Sequence, residues 1–177
     1  GLVIGGEFAL AAVLDPPARG RRWPGLKVWA RETVAYLHAF WLQQPFDPDF
    51  PEPALIADPV RPAVLLIHGF SCNRAVWKPL ISSGALVGCN VATVELHPWC
   101  TSIDEYAAQV GVAVERLRQG TGLERVRLLA HSMGGLAALA YLRRFGAGAV
   151  SGVITIGTPY GGTRLAALIR CRATLQM

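Results

Sequence analysis

Four short apolar segments, separated by stretches with helical periodicity, follow Pro62 and constrain the fold more than any other feature of the sequence. Strands that are apolar throughout and alternate with helices are typical of a parallel sheet that is covered on both faces. The sequence therefore predicts an α/β fold with a mostly parallel sheet. The predicted strands are Ala63–Ile67, Val91–Leu96, Val126–Ala130 and Val150–Ile156.

The stretches between these strands carry helix signals. Ser102 and Glu105 form a capping box, because the serine side chain accepts a hydrogen bond from a free backbone donor while the glutamate reaches back. The helix that begins there is predicted to run to about Gln119 and to stop at Gly120. The other helical stretches are Asn73–Leu86 in part, with Pro79 in a first turn, and Gly134–Phe145.

Residues 1–42 form a separate apolar and basic segment. Gly1–Leu14 is apolar apart from Glu7, and five Lys or Arg follow before residue 32. An apolar run that ends in a basic block is typical of a membrane segment whose basic flank stays cytoplasmic, and a buried helix is the alternative. Leu26–Leu42 has the periodicity of an amphipathic helix, which suits either a membrane interface or packing on the rest of the protein.

Residues 43–62 are predicted to be a linker, because they hold six of the twelve prolines. Proline lacks a backbone donor and fixes φ, so neither a helix nor a central strand is expected there. We place a domain boundary at about Pro62.

The segment from Ala63 onward has an excess of positive charge, because it contains eleven Lys and Arg but only five Asp and Glu. No basic cluster is interleaved with aromatic residues, so we expect a solvated basic face and no nucleic-acid partner.

The segment Ala-His-Ser-Met-Gly-Gly around Ser132 joins a predicted strand to a predicted helix. A G-x-S-x-G elbow presents its serine on a sharp turn of this kind, so Ser132 is the candidate nucleophile. Small residues two before and two after the serine avoid a backbone clash; Gly134 meets this requirement, and Ala130 departs from it by one methyl group. Gly135 and His131 are supporting residues, and we interpret His131 as a packing residue and not as a base.

A second motif, His68-Gly69-Phe70, ends the first predicted strand. In hydrolases with such an elbow, the loop after that strand donates one backbone N–H to the oxyanion, and the residue after the nucleophile donates the other. The predicted donors are therefore Phe70 and Met133, each worth roughly 2.7–4 kcal/mol in the transition state. Gly69 lets the chain pass close to the substrate, and His68 is expected to shape the loop.

With these motifs, residues from about Pro62 to Arg164 resemble the α/β-hydrolase lipases and esterases of bacteria. Ile156-Gly157-Thr158-Pro159 and Gly161-Gly162-Thr163 add to the resemblance. Alanine at the first elbow position is similar to Bacillus-type lipases, and residues 1–62 look like membrane-tethered proteobacterial members. The resemblance implies that residues 63–177 are the front half of an α/β-hydrolase fold. It implies hydrolysis of carboxylic, lipid-like esters such as triacylglycerols, without a cofactor, at the bacterial inner membrane.

The acid and the base of the catalytic triad are missing from their expected positions. The order in this fold is Ser, then Asp or Glu, then His, yet residues 133–177 contain none of these acids and no His. His97 lies near the same sheet edge, but the sequence shows no acid partner for it. We expect a chain that is truncated before its triad is complete; a degenerate homologue that acts as a membrane-associated binding or scaffold protein is the alternative. A thioesterase, amidase or acyltransferase would use the same front half.

The four cysteines show no spacing typical of metal ligands, so no metal site is expected. A disulfide between Cys72 and Cys100 is one possibility. A sheet that stops at its fourth or fifth strand leaves an unpaired edge, which predicts poor solubility.

Overall fold

The computed structural model describes Ala30, Val34 and residues 51–162 apart from 54 and 99. Within these ranges, four strands form one sheet in the spatial order β2-β1-β3-β4, and every neighbouring pair is parallel. The predicted α/β class with a parallel sheet is therefore confirmed. The strands are β1 (Ala63–Ile67), β2 (Asn90–Val94), β3 (Val126–His131) and β4 (Val150–Ile156). The helices are α1 (Lys78–Ser82), which follows a 3-10 turn at Arg74–Trp77, α2 (Ile103–Thr121) and α3 (Met133–Phe145).

β1 lies in the middle of the core, because it pairs with β2 on one side and β3 on the other. All five of its residues are buried. Successive side chains of a strand point to opposite faces, so Leu65 packs with α2 and α3 whereas Leu66 packs with Trp77 on the other face. Burying a side chain of this size contributes about 1.5–3 kcal/mol. Because β1 is buried on both faces, it is fixed in the sheet, and so is the position of its carboxyl end.

The carboxyl ends of the strands meet at one edge of the sheet. Ile67 of β1 pairs with Val94 of β2 and with Ala130 of β3, and His131 pairs with Ile156 of β4. The residues that directly follow these positions therefore lie side by side. In open parallel sheets, ligands bind outside this end of the strands.

The end of α2 differs from the prediction. Gly120 was expected to stop the helix, but the helix runs to Thr121, and Gly122 is the cap in the left-handed conformation, with φ 73°. A Cβ added at Gly120 would lie 2.6 Å from Leu55 Cδ2. Gly120 thus lies against the Leu55 side chain inside the last turn of the helix, a contact that local sequence does not reveal.

Most of the N-terminal predictions lie outside the described residues. Of the predicted helix Leu26–Leu42, only Ala30 and Val34 are described; both are helical and exposed. The membrane role of residues 1–42 stays a prediction. In the part of the chain that the structure describes, no helix has both the length and the apolar character that a membrane crossing needs. Residues 55–62, from the predicted linker, contain neither helix nor strand.

The possible disulfide between Cys72 and Cys100 is not formed. Cys100 is disulfide-bonded, but Cys72 keeps a thiol. The Cys72 thiol instead donates to the Phe70 carbonyl oxygen at 3.3 Å. The Cys72 side chain therefore contributes to the order of the loop after β1.

Candidate active site

Ser132 lies at the sharp turn between β3 and α3. Its backbone has φ 52° and ψ −127°, a conformation that costs a non-glycine residue about 1–3 kcal/mol. The Ser132 N–H donates to Ile156 O at 2.8 Å, and the Ser132 carbonyl accepts from Thr158 Oγ1 at 3.0 Å. The turn after β4 thus holds this strained residue in place.

The glycines of the elbow make close contacts that leave no room for a side chain. A Cβ on Gly134 would lie 2.7 Å from Ile67 O and closer still to His68 O. A Cβ on Gly135 would overlap the Thr158 side chain. Both positions are therefore restricted to glycine by packing, which agrees with the requirement for small residues that the sequence indicated.

Gly69 brings the loop after β1 directly against the serine. A Cβ on Gly69 would lie 2.9 Å from Ser132 Cβ and 3.1 Å from His131 O. The structure therefore brings together the two motifs that the sequence placed about 60 residues apart. Residues 68–73 are called the oxyanion loop below.

The two predicted oxyanion donors follow directly from these positions. Met133 is the first residue of α3, and the Ser132 side chain makes no capping hydrogen bond. The first N–H groups of a helix have no partner within the helix, and the helix dipole makes this end positive. Phe70 follows Gly69 and is partly buried against the core. Their assignment as donors remains a prediction.

His68 is buried, and both of its ring nitrogens are occupied. Gly69 O only accepts, so the 2.9 Å contact with it requires a proton on Nδ1. Nε2 accepts from the Leu96 N–H at 3.0 Å. This pattern assigns the neutral tautomer with the proton on Nδ1. Since neither nitrogen is available to Ser132, His68 can shape the loop but cannot serve as its base.

Glu95, directly after β2, belongs to this site although the sequence analysis did not single it out. Its Oε1 accepts from the Arg74 N–H at 2.6 Å and from Arg74 Nε at 2.8 Å. Burial raises the pKa of Glu95, but the His68 ring and Arg74 outweigh burial and lower it to about 2. Because His68 is neutral here, we attribute the lowering chiefly to Arg74. The signal in the sequence that could have identified Glu95 is a single acidic residue at the end of an apolar strand.

The other two described histidines also make no hydrogen bond with the serine hydroxyl. His131 Nδ1 is buried without a partner, and burial, with His68 nearby, lowers the pKa of this ring. His97 is largely exposed, with Nε2 4.0 Å from Glu95 Oε2, and β1 separates its strand from that of Ser132. None of the described histidines forms a hydrogen bond with the Ser132 hydroxyl.

A metal-binding arrangement is not found among the described residues, where no three His, Cys, Asp or Glu side chains are grouped to hold an ion. The chemistry that this part of the chain offers is a hydroxyl on a strained turn, beside a helix N-terminus and a glycine loop. Such a hydroxyl can act as a nucleophile when a base takes its proton.

Comparison with protein families gives one match. The model of a family described as having the alpha/beta hydrolase fold matches residues 62–170. The matched segment includes β1 to β4 and both motifs. A search of curated protein sequences found no match.

Several solved structures are similar. The lipase BlEst2 of Bacillus licheniformis in its mature form has a TM-score of 0.56 and 26% identity, over 67% of this chain and 48% of that chain. Its propeptide form has the same TM-score with 27% identity, over 63% and 25% of the two chains. Lipase B of Aspergillus fumigatus, at 17% identity and TM-score 0.54, over 63% and 28%, shows likeness of fold alone. The chain thus spans half or less of the length of these proteins.

Proposed function

The chain belongs to the alpha/beta hydrolase fold family, and on this premise we propose that it supplies the nucleophile and the oxyanion donors of a serine hydrolase that acts on carboxylic esters. The observation that carries the proposal is Ser132 at a turn with φ 52°, pressed against Gly69 of the oxyanion loop. Related hydrolases present their serine on such an elbow.

The proposed reaction is acyl transfer to the serine. Ser132 Oγ attacks the carbonyl carbon of the ester, and the electron pair of the carbonyl bond moves to its oxygen. The Phe70 and Met133 N–H groups hold this oxyanion. As the oxyanion collapses, the bond to the alcohol oxygen breaks, and the base that took the Ser132 proton returns it to that oxygen, so that the alcohol leaves. Water releases the acid in a second attack of the same kind. The base that the reaction needs is not assigned to any residue of this chain, since His68 is engaged elsewhere and residues 133–177 contain no His.

We propose an ester with an apolar acyl or alcohol group as the substrate class. A groove of about 490 Å³ lies between the beginning of α2 and the middle and end of α3, and it is lined by Ile103, Asp104, Leu136, Leu139, Ala140 and Arg143. Leu136 is one helical turn, about 6 Å, beyond Ser132, and Leu139 is about one turn further. The groove therefore lies along the same helix that begins directly after Ser132. The similar Bacillus protein is described as a lipase.

Labelling with a fluorophosphonate tests the nucleophile. The full chain is expected to become phosphonylated at Ser132, as located by peptide mass spectrometry, and Ser132→Ala is expected to remain unlabelled. Removal of a triad member in intact hydrolases leaves catalysis of about 10³–10⁴-fold over water, so slow labelling is sufficient. A folded native chain that stays unlabelled would contradict the proposal and favour a non-catalytic binding role.

The groove is tested by the length of the alkyl chain on the probe. Leu139→Asp should slow labelling by a long-chain fluorophosphonate and leave labelling by a short one unchanged, because a carboxylate in the groove opposes burial of an alkyl chain. Val112→Asp, at an exposed position on the outer face of α2, is the matched control. Equal slowing of both probes by Leu139→Asp would reject the groove as the alkyl site.

Residues 1–42 are proposed to bind a membrane surface. Their apolar run and basic block are the supporting features. Co-sedimentation of the full chain with anionic phospholipid vesicles should be strong at low salt and weaker at high salt, because basic residues attract acidic headgroups. A chain that stays in the supernatant with such vesicles would contradict this part of the proposal.

A further inference from the structure

The oxyanion loop is a strained segment that requires support. Ser71, in its middle, has φ 54° although it is not glycine. Backbone conformations of this kind cost free energy and persist only when the surrounding structure holds them. The contacts at the two ends of the loop therefore decide its shape.

The beginning of the loop is held by the His68 ring. The ring donates to Gly69 O and accepts from Leu96 N–H, so it ties the loop to the segment that follows β2. Gly69 O also accepts from the Cys72 N–H at 3.3 Å. Because a peptide group is planar and trans, the direction of the Gly69 carbonyl fixes the opposite direction of the Phe70 N–H.

The end of the loop is held by Glu95 from the neighbouring strand. One carboxylate oxygen accepts from both the backbone N–H and the Nε of Arg74. The other lies 3.5 Å from Nε2 of His68. Only 17% of the Glu95 side chain is exposed. A single partly buried carboxylate thus binds the residue directly after the loop through two hydrogen bonds and lies beside the residue at its beginning.

We propose that Glu95 is a positioning residue that holds the oxyanion loop so that the Phe70 N–H faces the reacting carbonyl. This inference rests on the proposed function, in which Phe70 is an oxyanion donor. Hydrogen bonds to a charged acceptor are roughly twice as strong as those to a neutral one. Glu95→Gln keeps the shape of the side chain but weakens its hydrogen bonds to Arg74. Glu95→Ala removes these hydrogen bonds.

Cysteine alkylation measures the order of the loop without requiring catalysis. The Cys72 N–H and thiol both bond within the loop, so its rate of reaction with iodoacetamide should rise when the loop loosens. Cys89, a second thiol, packs against the core on the Trp77 side and serves as the internal reference. Peptide mass spectrometry resolves the two rates.

The expected result is a graded and local effect. Relative to Cys89, the Cys72 rate should rise about tenfold in Glu95→Ala and less in Glu95→Gln, and it should be unchanged in Glu115→Ala. Glu115 is the matched control, because it also pairs with an arginine, Arg118, at 2.6 Å, but on the surface of α2. Ser132 labelling by a fluorophosphonate should slow in the same order.

Two outcomes would overturn the inference. Equal Cys72 rates in the native chain and the two Glu95 variants would show that the carboxylate does not hold the loop. Where Glu95→Ala raises the Cys89 rate as well, Glu95→Gln decides, since it keeps the shape of the side chain and removes only its charge; the absence of a selective rise at Cys72 there also rejects the proposal. If native Ser132 stays unlabelled while Cys72 responds as expected, the proposed function fails and the positioning role stands.

Discussion

At the scale of single residues, Gly69 is the position where one added methyl group would meet Ser132 itself. Gly69→Ala places a Cβ 2.9 Å from Ser132 Cβ, so the loop or the elbow must move. We expect destabilisation of about 1–3 kcal/mol and a loss of Ser132 labelling of about 100-fold, the cost of a 1 Å misplacement. Thermal unfolding and the labelling rate measure the two effects.

Gly148→Ala is the control for this substitution. A Cβ at Gly148 meets nothing within 4 Å, so both the melting temperature and the labelling rate should stay close to native values. Equal behaviour of the two variants would contradict the close contact between the oxyanion loop and the elbow.

Glu95 should make the stability of the protein depend on acid pH. Its hydrogen bonds to Arg74 lower the pKa of this carboxyl to about 2 in the folded chain, from an ordinary value of 4.5. A carboxyl whose pKa is lower in the folded than in the unfolded chain stabilises the folded state at pH values above the unfolded pKa. This contribution is lost as the pH falls toward the folded pKa. We expect Glu95 to stabilise the folded chain at neutral pH by about 1.5–3 kcal/mol, as hydrogen bonds to charged groups do, and this contribution to be lost as the pH falls below about 4.5.

Urea unfolding at a series of pH values checks this expectation. Glu95→Gln should be less stable than the native chain at pH 7, and the difference should shrink as the pH falls toward 2. Glu115→Gln, which removes an exposed ion pair worth at most about 1 kcal/mol, should show little of this dependence. If the difference in the free energy of unfolding between the native chain and Glu95→Gln stayed constant with pH, folding would not lower the pKa of the Glu95 carboxyl.

The residues of the elbow and the oxyanion loop were predictable because their chemistry is local. Ser132, Gly134 and Gly69 stand in short motifs whose spacing in the chain fixes a turn or a close approach. Glu95 was not predictable in this way, since its role depends on Arg74, 21 residues earlier, and on the pairing of β2 with β1.

At the scale of secondary structure, α2 illustrates how well a helix start can be predicted and how poorly its end can be. The capping box at Ser102 and Glu105 forms as predicted, with Ser102 Oγ accepting from the Glu105 N–H. The end was predicted at the wrong glycine, because Gly120 serves contact with Leu55 and Gly122 serves the left-handed cap. Two glycines so close together cannot be told apart without tertiary contacts.

Ser102→Ala should destabilise the protein by about 1 kcal/mol, since it removes the side-chain acceptor of the α2 N-cap. Thermal or urea unfolding measures the change. Ser151→Ala, at an exposed position of β4, provides the comparison and should have a smaller effect. An equal loss in both variants would indicate that the cap contributes nothing beyond an ordinary surface hydroxyl.

At the scale of the whole molecule, β4 is the outermost strand of the sheet, and no other strand among the described residues pairs with its outer side. Ile154 and Ile156 are large apolar side chains that are exposed there, and the strand contains no charged residue and no proline. Edges of this kind pair readily with other chains. The poor solubility predicted from the sequence follows from the same feature, and it remains a prediction.

Ile154→Lys is expected to reduce association of the chain, because a lysine on an edge strand opposes pairing. Sedimentation velocity over a range of concentrations should show a larger monomer fraction than in the native chain. Val112→Lys adds the same charge at an exposed position on α2 and should change association less. Equal improvement by both would show that net charge, and not the β4 edge, controls solubility.

The bracing of Ser132 by Ile156 and Thr158 has a consequence for biosynthesis. A nascent polypeptide that has emerged from the ribosome only as far as α3 already contains the reactive hydroxyl, but it lacks the two partners that hold the strained turn. Because the brace arrives more than twenty residues later, the serine reaches its working geometry only after the fourth strand has been translated and has docked. The order of synthesis therefore delays the proposed nucleophile from reaching its geometry until the fourth strand is in place.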